Sequence, residues 1–473
     1  MTNTEIDKIR LEANTKLDPG RKGQLGQFMT PSNIAEFMAE LLDKTKDEIS
    51  LLDAGAGIGS LAIAAVKKLK TVSSVEAWEL DSIMSSYLET SLQRLNVAHV
   101  IHHADFIDEA VLNLELGIGT RFTHAVLNPP YKKINSNSIH RKLLRKVGIE
   151  TVNLYSAFLA LSILLMKNGG QIVAIIPRSF CNGPYYKPFR EIMLKQCAID
   201  HIHVFESRNK AFKDDEVLQE NVILKIVKGE KQSDVIISTS HDNSLSDYEE
   251  RIVSFSNVVK TVDKEYFVHI PVKKQEFDHE GLFKLGLKEL GLEVSTGPVV
   301  DFRMKDFWQQ EPTEDSIPLL YPHHFVNGEF QYPKAHKKPN ALKPGDQVNK
   351  WLMPNGFYVI VKRFSAKEER RRVVAYIVDP GKIKSTHIGF ENHWNVFHFK
   401  KHGLDAQVAR GLACFLNSTE LDSYFRVFSG HTQVNATDLK NMKYPSLETL
   451  TNLGKKFKPT MSQEEIDSLV ASA

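Results

Sequence analysis

From Glu48 to about Gly229, short runs rich in branched apolar residues alternate with longer stretches whose apolar positions recur every three to four residues. The short runs read as strands and the longer stretches as helices. Strands are expected over Ile49–Asp53, Val75–Glu79, His124–Leu127, Gln171–Ile176, His201–Phe205 and Asn221–Val227. Helices are expected over Ser60–Lys70 and Asn153–Lys167, the second stopped by Asn168-Gly169-Gly170. Such alternation predicts a doubly wound α/β sheet, whose ligands sit at the carboxyl ends of the strands. Upstream, Thr30 is expected as a helix N-cap with Pro31 at the first helical position. Ile34, Phe37, Met38, Leu41 and Leu42 then fall on one buried face.

After Gly229 the pattern weakens. Residues Glu230 to Glu250 are polar without periodicity, and from about Leu285 short apolar runs are broken by Pro and Gly (Gly297-Pro298, Lys343-Pro344-Gly345, Asp379-Pro380-Gly381). The chain therefore divides into a domain over 1–240, a linker region over 241–284 and a second domain over 285–473. A length of 473 residues suits two domains, and 42% hydrophobic residues suffice for two cores. No run approaches the roughly 18 apolar residues of a membrane span, and the first ten residues are polar, so no secretory leader and no membrane partner are expected. Cys181, Cys197 and Cys414 fit neither a disulfide framework nor a zinc spacing, which suits a cytoplasmic location. Net charge is only +2, but residues 331–372 hold eleven Lys/Arg against three Asp/Glu.

The chemistry is concentrated at the expected strand ends. Leu51-Leu52-Asp53-Ala54-Gly55-Ala56-Gly57-Ile58-Gly59 runs from a strand into a Gly-rich turn, where Gly55 and Gly57 let the backbone approach a ligand. Ser60 stands where a dinucleotide fingerprint has its third glycine, so a nicotinamide cofactor is not favoured. Glu79 ends the next strand and can accept both hydroxyls of a ribose. Asp105-Phe106 ends a third, offering an acceptor and an apolar face to an adenine ring. Asn128-Pro129-Pro130-Tyr131 follows an apolar strand, and its prolines hold the backbone rigid. The Asn128 side-chain carbonyl and the Pro129 carbonyl can accept both hydrogens of a planar amino group and restore its lone pair. Tyr131 offers a ring for base stacking.

This set resembles the gamma-ordered class of N6-adenine DNA methyltransferases. Gly26-Gln27-Phe28-Met29-Thr30-Pro31 resembles the segment that closes over the methionine end of the cofactor. Asn153–Phe158 resembles the helix beside the cofactor adenine. Phe212 falls where the family places a second aromatic against the flipped base. The second half resembles modification enzymes of type II restriction systems of the PstI/BsuBI kind, through Lys362-Arg363-Phe364-Ser365 to Arg370-Arg371 and Ser429-Gly430-His431 to Leu439. The resemblance implies a Rossmann-like methyltransferase sheet followed by a mixed α/β target-recognition domain. It implies S-adenosylmethionine held by Thr30, Asp53, Gly55, Gly57, Glu79, Asp105 and Phe106, and catalysis at Asn128, Pro129, Pro130 and Tyr131. It further implies double-stranded DNA as substrate, contacted by Phe212, Lys362, Arg363 and Arg371, and a cognate restriction endonuclease encoded nearby. A close relative of that kind would recognise CTGCAG.

The expected reaction requires no metal and no covalent intermediate. A cytosine C5 methyltransferase needs a nucleophilic cysteine, and none of the three cysteines follows a proline. The Asn-Pro-Pro-Tyr box also suits a protein glutamine amide or an RNA amino group, and a non-catalytic DNA-specificity protein is the rival of a different class.

Overall fold

A computed structural model describes residues 2–17, 29–45, 48–206, 220–260, 263–272, 284–326, 328–365, 369–430 and 433–473. The chain forms two compact units, Met1–Val272 and Lys273–Ala473.

The first unit is built on one nine-stranded sheet. Its strands are β1 Ile49–Ala54, β2 Val72–Trp78, β3 Ala98–His102, β4 Phe122–Leu127, β5 Met166–Pro177, β6 Cys197–Phe205, β7 Asn221–Lys228, β8 Val235–Ser240 and β9 Glu249–Val253. They lie in the order β3-β2-β1-β4-β5-β7-β6-β8-β9. Strands β1 to β5 pair in parallel. Strand β7 is inserted antiparallel between β5 and β6. The chain winds outward in both directions from β1 and β4, so a crevice opens at their carboxyl ends. Both strands are buried on both faces, which explains their nearly continuous apolar sequences. Ile34 and Met38 of the helix Ser32–Glu40, Leu61 and Ala65 of the helix Ser60–Leu69, and Val126 and Ile175 of the sheet share one core.

Several local expectations give way to tertiary pairing. The helix expected over Asn153–Lys167 ends at Leu165, and β5 begins at Met166 opposite Phe122. Asn168-Gly169-Gly170 thus falls inside a strand segment, with Gly169 at φ 79° absorbing the irregularity. The polar stretch after Gly229 is not a boundary: β8 and β9 extend the sheet there, β9 as its edge, and the first unit runs on to Val272. Thr30 is not an N-cap, because Pro31 occupies that position and no side chain caps the helix.

The second unit is a mixed α/β assembly of short strands. An antiparallel sheet joins Glu293–Thr296, Trp394–His398, Tyr358–Lys362 and Ala375–Val378 around buried Tyr358, Ile360, Trp394 and Val396. The helices Ala406–Leu416 and Leu447–Lys456 meet at Gly411 and Gly454. A Cβ at Gly411 would stand 1.7 Å from the Leu450 carbonyl oxygen, and one at Gly454 1.9 Å from that of Gln407. Among the described residues, no helix is long and apolar enough to cross a membrane.

Candidate active site

A cavity of about 330 Å³ opens at the carboxyl ends of β1 to β4. That volume lies within the range of small-molecule sites. Gly55, Gly57, Glu79, Asp105, Phe106, Thr30, Asn128 and Pro130 all line it, so residues spread over a hundred positions converge on one space. The turn after β1 is held by the Gly55 and Ala56 amides donating to the Trp78 carbonyl, each at 2.9 Å. Gly55, Gly57 and Gly59 adopt φ of 77°, 58° and 88°, a left-handed conformation that side chains disfavour. The turn delivers Ser60 at the start of a helix, where its buried hydroxyl has no hydrogen-bond partner among the described residues.

The acidic residues differ in state. Glu79 is buried and accepts the amides of Gly57 and Asp81, both at 2.8 Å. Burial raises its pKa against those two bonds. Asp53 is fully buried and is not part of the cavity wall. Its Oδ2 accepts the Ala62 amide at 3.2 Å, while Oδ1 has no partner among the described residues. Burial, reinforced by the Glu79 charge, pushes its carboxyl up to about 8. Asp105 behaves in the opposite way. Burial pulls its pKa up, but the bond from His140 Nε2 at 3.0 Å and the Ile107 amide at 2.8 Å prevail and lower it. Asp105, Asp108 and His140 bring three ligand-capable atoms within 4.8 Å of one another, a grouping that their spacing along the chain does not reveal.

At the end of β4, Asn128 is fixed by a neighbour that the sequence assigned elsewhere. Its Nδ2 donates to the Thr30 hydroxyl at 2.9 Å, which orients Oδ1 as an acceptor. The Tyr131 hydroxyl lies 3.2 Å from Oδ1 and 3.1 Å from the Ile175 carbonyl. With a single hydrogen, the phenol can donate to only one of the two at a time. The Tyr131 ring stands edge-on to Tyr155 at 6.3 Å. Neither Tyr131 nor Pro129 is part of the cavity wall.

Sequence reading missed part of the wall. Leu80, between Glu79 and Asp81, is 57% exposed, and an apolar residue flanked by acids is a signal that could have found it. Trp78 lines the cavity, stacked on His102 at 4.1 Å, with its indole N–H donating to Glu109 at 2.7 Å. Phe158, in the segment that the sequence reading did set beside the cofactor, contributes from the helix Leu154–Leu165, its ring 5.0 Å from that of Phe106. The stretch after Tyr131 also folds along the wall. The Ile134 amide donates to the Val152 carbonyl at 2.7 Å, and His140 closes the other end on Asp105.

The positions expected to contact DNA are less uniform. Phe212 lies outside the described residues, as do Gly26 to Phe28. Arg363 donates to the Asn392 carbonyl at 2.8 Å and Arg371 to that of Asn417 at 2.5 Å, so neither is a freely solvated charge. Lys362 lies over the Tyr376 ring at 5.5 Å. Lys362 and Arg371 line one cleft of about 960 Å³ in the second unit, and Arg363 does not. The two C-terminal motifs are neighbours, since Phe364 bridges Gln433 and the Val434 amide donates to the Arg363 carbonyl. The polar turn ends in a capping box in which Asn435 and Asp438 start the helix Ala436–Asn441.

Residues 61–212 match the Eco57I restriction-modification methylase family. The Type II methyltransferase M.BsuBI of Bacillus subtilis is 50% identical, over 98% of this chain and 96% of its own. The Type II methyltransferase M.PstI of Providencia stuartii is 42% identical, over 99% and 96%. Among solved structures, the ATP-dependent Type ISP restriction-modification enzyme LlaBIII bound to DNA superposes with a TM-score of 0.53 at 11% identity. That superposition covers 96% of this chain and 40% of that one, a likeness of fold.

Proposed function

This chain belongs to the type II methyltransferases of restriction-modification systems, and from that premise we propose that it methylates N6 of an adenine in double-stranded DNA. The methyl donor in this reading is S-adenosylmethionine, and the site is the CTGCAG implied by the resemblance. A cognate restriction endonuclease encoded nearby completes the proposal. The observation that carries it is the placement of an oriented Asn128 beside a cavity lined by Gly55, Gly57, Glu79 and Asp105.

The lining suits the donor. The unpartnered Ser60 hydroxyl at a helix N-terminus fits the carboxylate of its amino-acid end. Glu79 keeps lone pairs that would hold the ribose hydroxyls, Asp105 would accept from the adenine amino group, and Leu80 and Phe106 would supply apolar contact to the ring. S-Adenosylmethionine, when bound, supplies a sulfonium methyl, an electrophile that needs no metal. The protein's part is positioning and electrostatics. Rotating the target adenine out of the duplex costs a few kcal/mol. Asn128 Oδ1 and the Pro129 carbonyl accept its two amino hydrogens, and Tyr131 takes a face of the ring. Thr30 keeps the Asn128 amide from turning its nitrogen toward the base.

Single-turnover transfer of labelled methyl to a duplex carrying the target tests this reading. Asn128→Ala should lower the rate by roughly 10²–10³-fold with little change in donor affinity. Thr30→Val, which removes only the orienting acceptor, should lower it by about tenfold, and Thr30→Ser should restore it. Full activity in Asn128→Ala would refute the mechanism.

A further inference from the structure

The cleft in the second unit has an imbalance of charge that the fold does not explain. Lys362, Arg371, Lys382, Arg410 and Lys458 line it, against Glu329 and Asp379. Among the described residues, none of the five cations forms an ion pair. Three of them, Lys382, Arg410 and Lys458, lie outside the basic run of residues 331–372 and are brought to it by folding. Lys382 ends the turn Pro380–Lys382, Arg410 is on the helix Ala406–Leu416, and Lys458 follows the helix Leu447–Lys456.

We propose that this cleft binds the sugar-phosphate backbone of the DNA substrate, with Arg371 as its fixed anchor and Lys382, Arg410 and Lys458 as further phosphate ligands. Arg371 is held by the Asn417 carbonyl, which leaves its other N–H groups preset for an anion. Its half-buried position depresses its pKa, a desolvation cost that a phosphate would offset. Convergent cations in a concave, partly desolvated space focus the field on a polyanion. Of the lining aromatic residues, Phe325 and Phe457 are buried, the half-buried Tyr376 lies under Lys362 and Phe330 stacks on Tyr332, so the cleft offers five cationic groups against few open ring faces. That favours backbone over an extruded base. The assignment rests on DNA being the substrate, as proposed for the first unit, and replaces Arg363 by residues distant in sequence.

The test is equilibrium binding of the full-length protein to a duplex of arbitrary sequence across a range of salt. The Lys382→Gln/Arg410→Gln/Lys458→Gln variant should flatten the slope of log K against log salt by about 0.9 for each phosphate no longer neutralised. The pair Lys382→Gln/Lys458→Gln, at two exposed positions, should flatten it by about 1.8 and keeps the test valid if the Arg410 change disturbs folding. Lys8→Gln/Lys195→Gln, exposed positions in the first unit, should leave it unchanged. An unaltered slope in both cleft variants, or no DNA binding by the wild type, overturns the assignment. Salt-sensitive binding that the cleft variants flatten, combined with no methyl transfer to adenine, would instead refute the proposed reaction and leave the cleft standing.

Discussion

Asp105 and His140 show how one side chain can carry a role that its motif does not contain. The acid was legible because it ends a strand in a recognised order, whereas its partner lies 35 residues on, in a segment with no motif. Thr30, expected both as a helix N-cap and beside the cofactor, lines the cavity, but its hydroxyl accepts from Asn128 instead of starting a helix. The ion pair also has a pH signature. The Asp105 pKa is lowered, so its contribution to stability is present above the unfolded value and lost as pH falls through the folded one. The His140 pKa is raised, chiefly by the bond to Asp105, so its contribution is full below the unfolded value and lost as pH rises through the folded one. The pair is therefore worth most between the two, near pH 5 to 6. Chemical denaturation of wild type and His140→Ala should show a stability gap at about pH 5.5 that narrows by about pH 9. A gap that does not depend on pH would mean that His140 acts by packing alone.

At the scale of elements, periodicity worked where strands are central and failed where they are edges. β1, β4 and β5 are buried on both faces and announce themselves as apolar runs. β9 is largely exposed, its sequence Glu249-Glu250-Arg251-Ile252-Val253, and only pairing to β8 makes it a strand. The second unit was illegible for a related reason, since most of its strands are only two to five residues long, too short to show a period. The Gly411–Gly454 crossing was equally hidden, because glycine inside a helix reads as a defect until the neighbouring helix is seen. Here it permits backbone contact, and a methyl group on either glycine would overlap a carbonyl. Gly411→Ala should therefore destabilise the second unit by about 1–3 kcal/mol despite the better helix propensity of alanine. A urea titration followed by far-ultraviolet circular dichroism measures it, and a neutral or stabilising result would show that the helices can separate freely.

Over the whole molecule, the proposed catalytic and cofactor groups belong to the first unit, and the basic cleft to the second. The motif-bearing half was readable because its chemistry sits at strand ends in fixed order. The cleft was not, because its cations come from nearly a hundred residues of unpatterned chain. The wall of the first cavity has a practical consequence. Of the four tryptophans, only Trp78 lies in the first unit; Trp308, Trp351 and Trp394 lie in the second. Its indole lines that cavity while stacked on His102 and bonded to Glu109, so a ligand there changes the surroundings of a single emitter. The protein thus carries its own optical gauge of occupancy. Titration with S-adenosylmethionine should shift or quench the emission along a saturable curve, and Trp78→Phe should abolish that response while the other three indoles continue to emit. A signal surviving in Trp78→Phe would place the sensed event elsewhere in the chain.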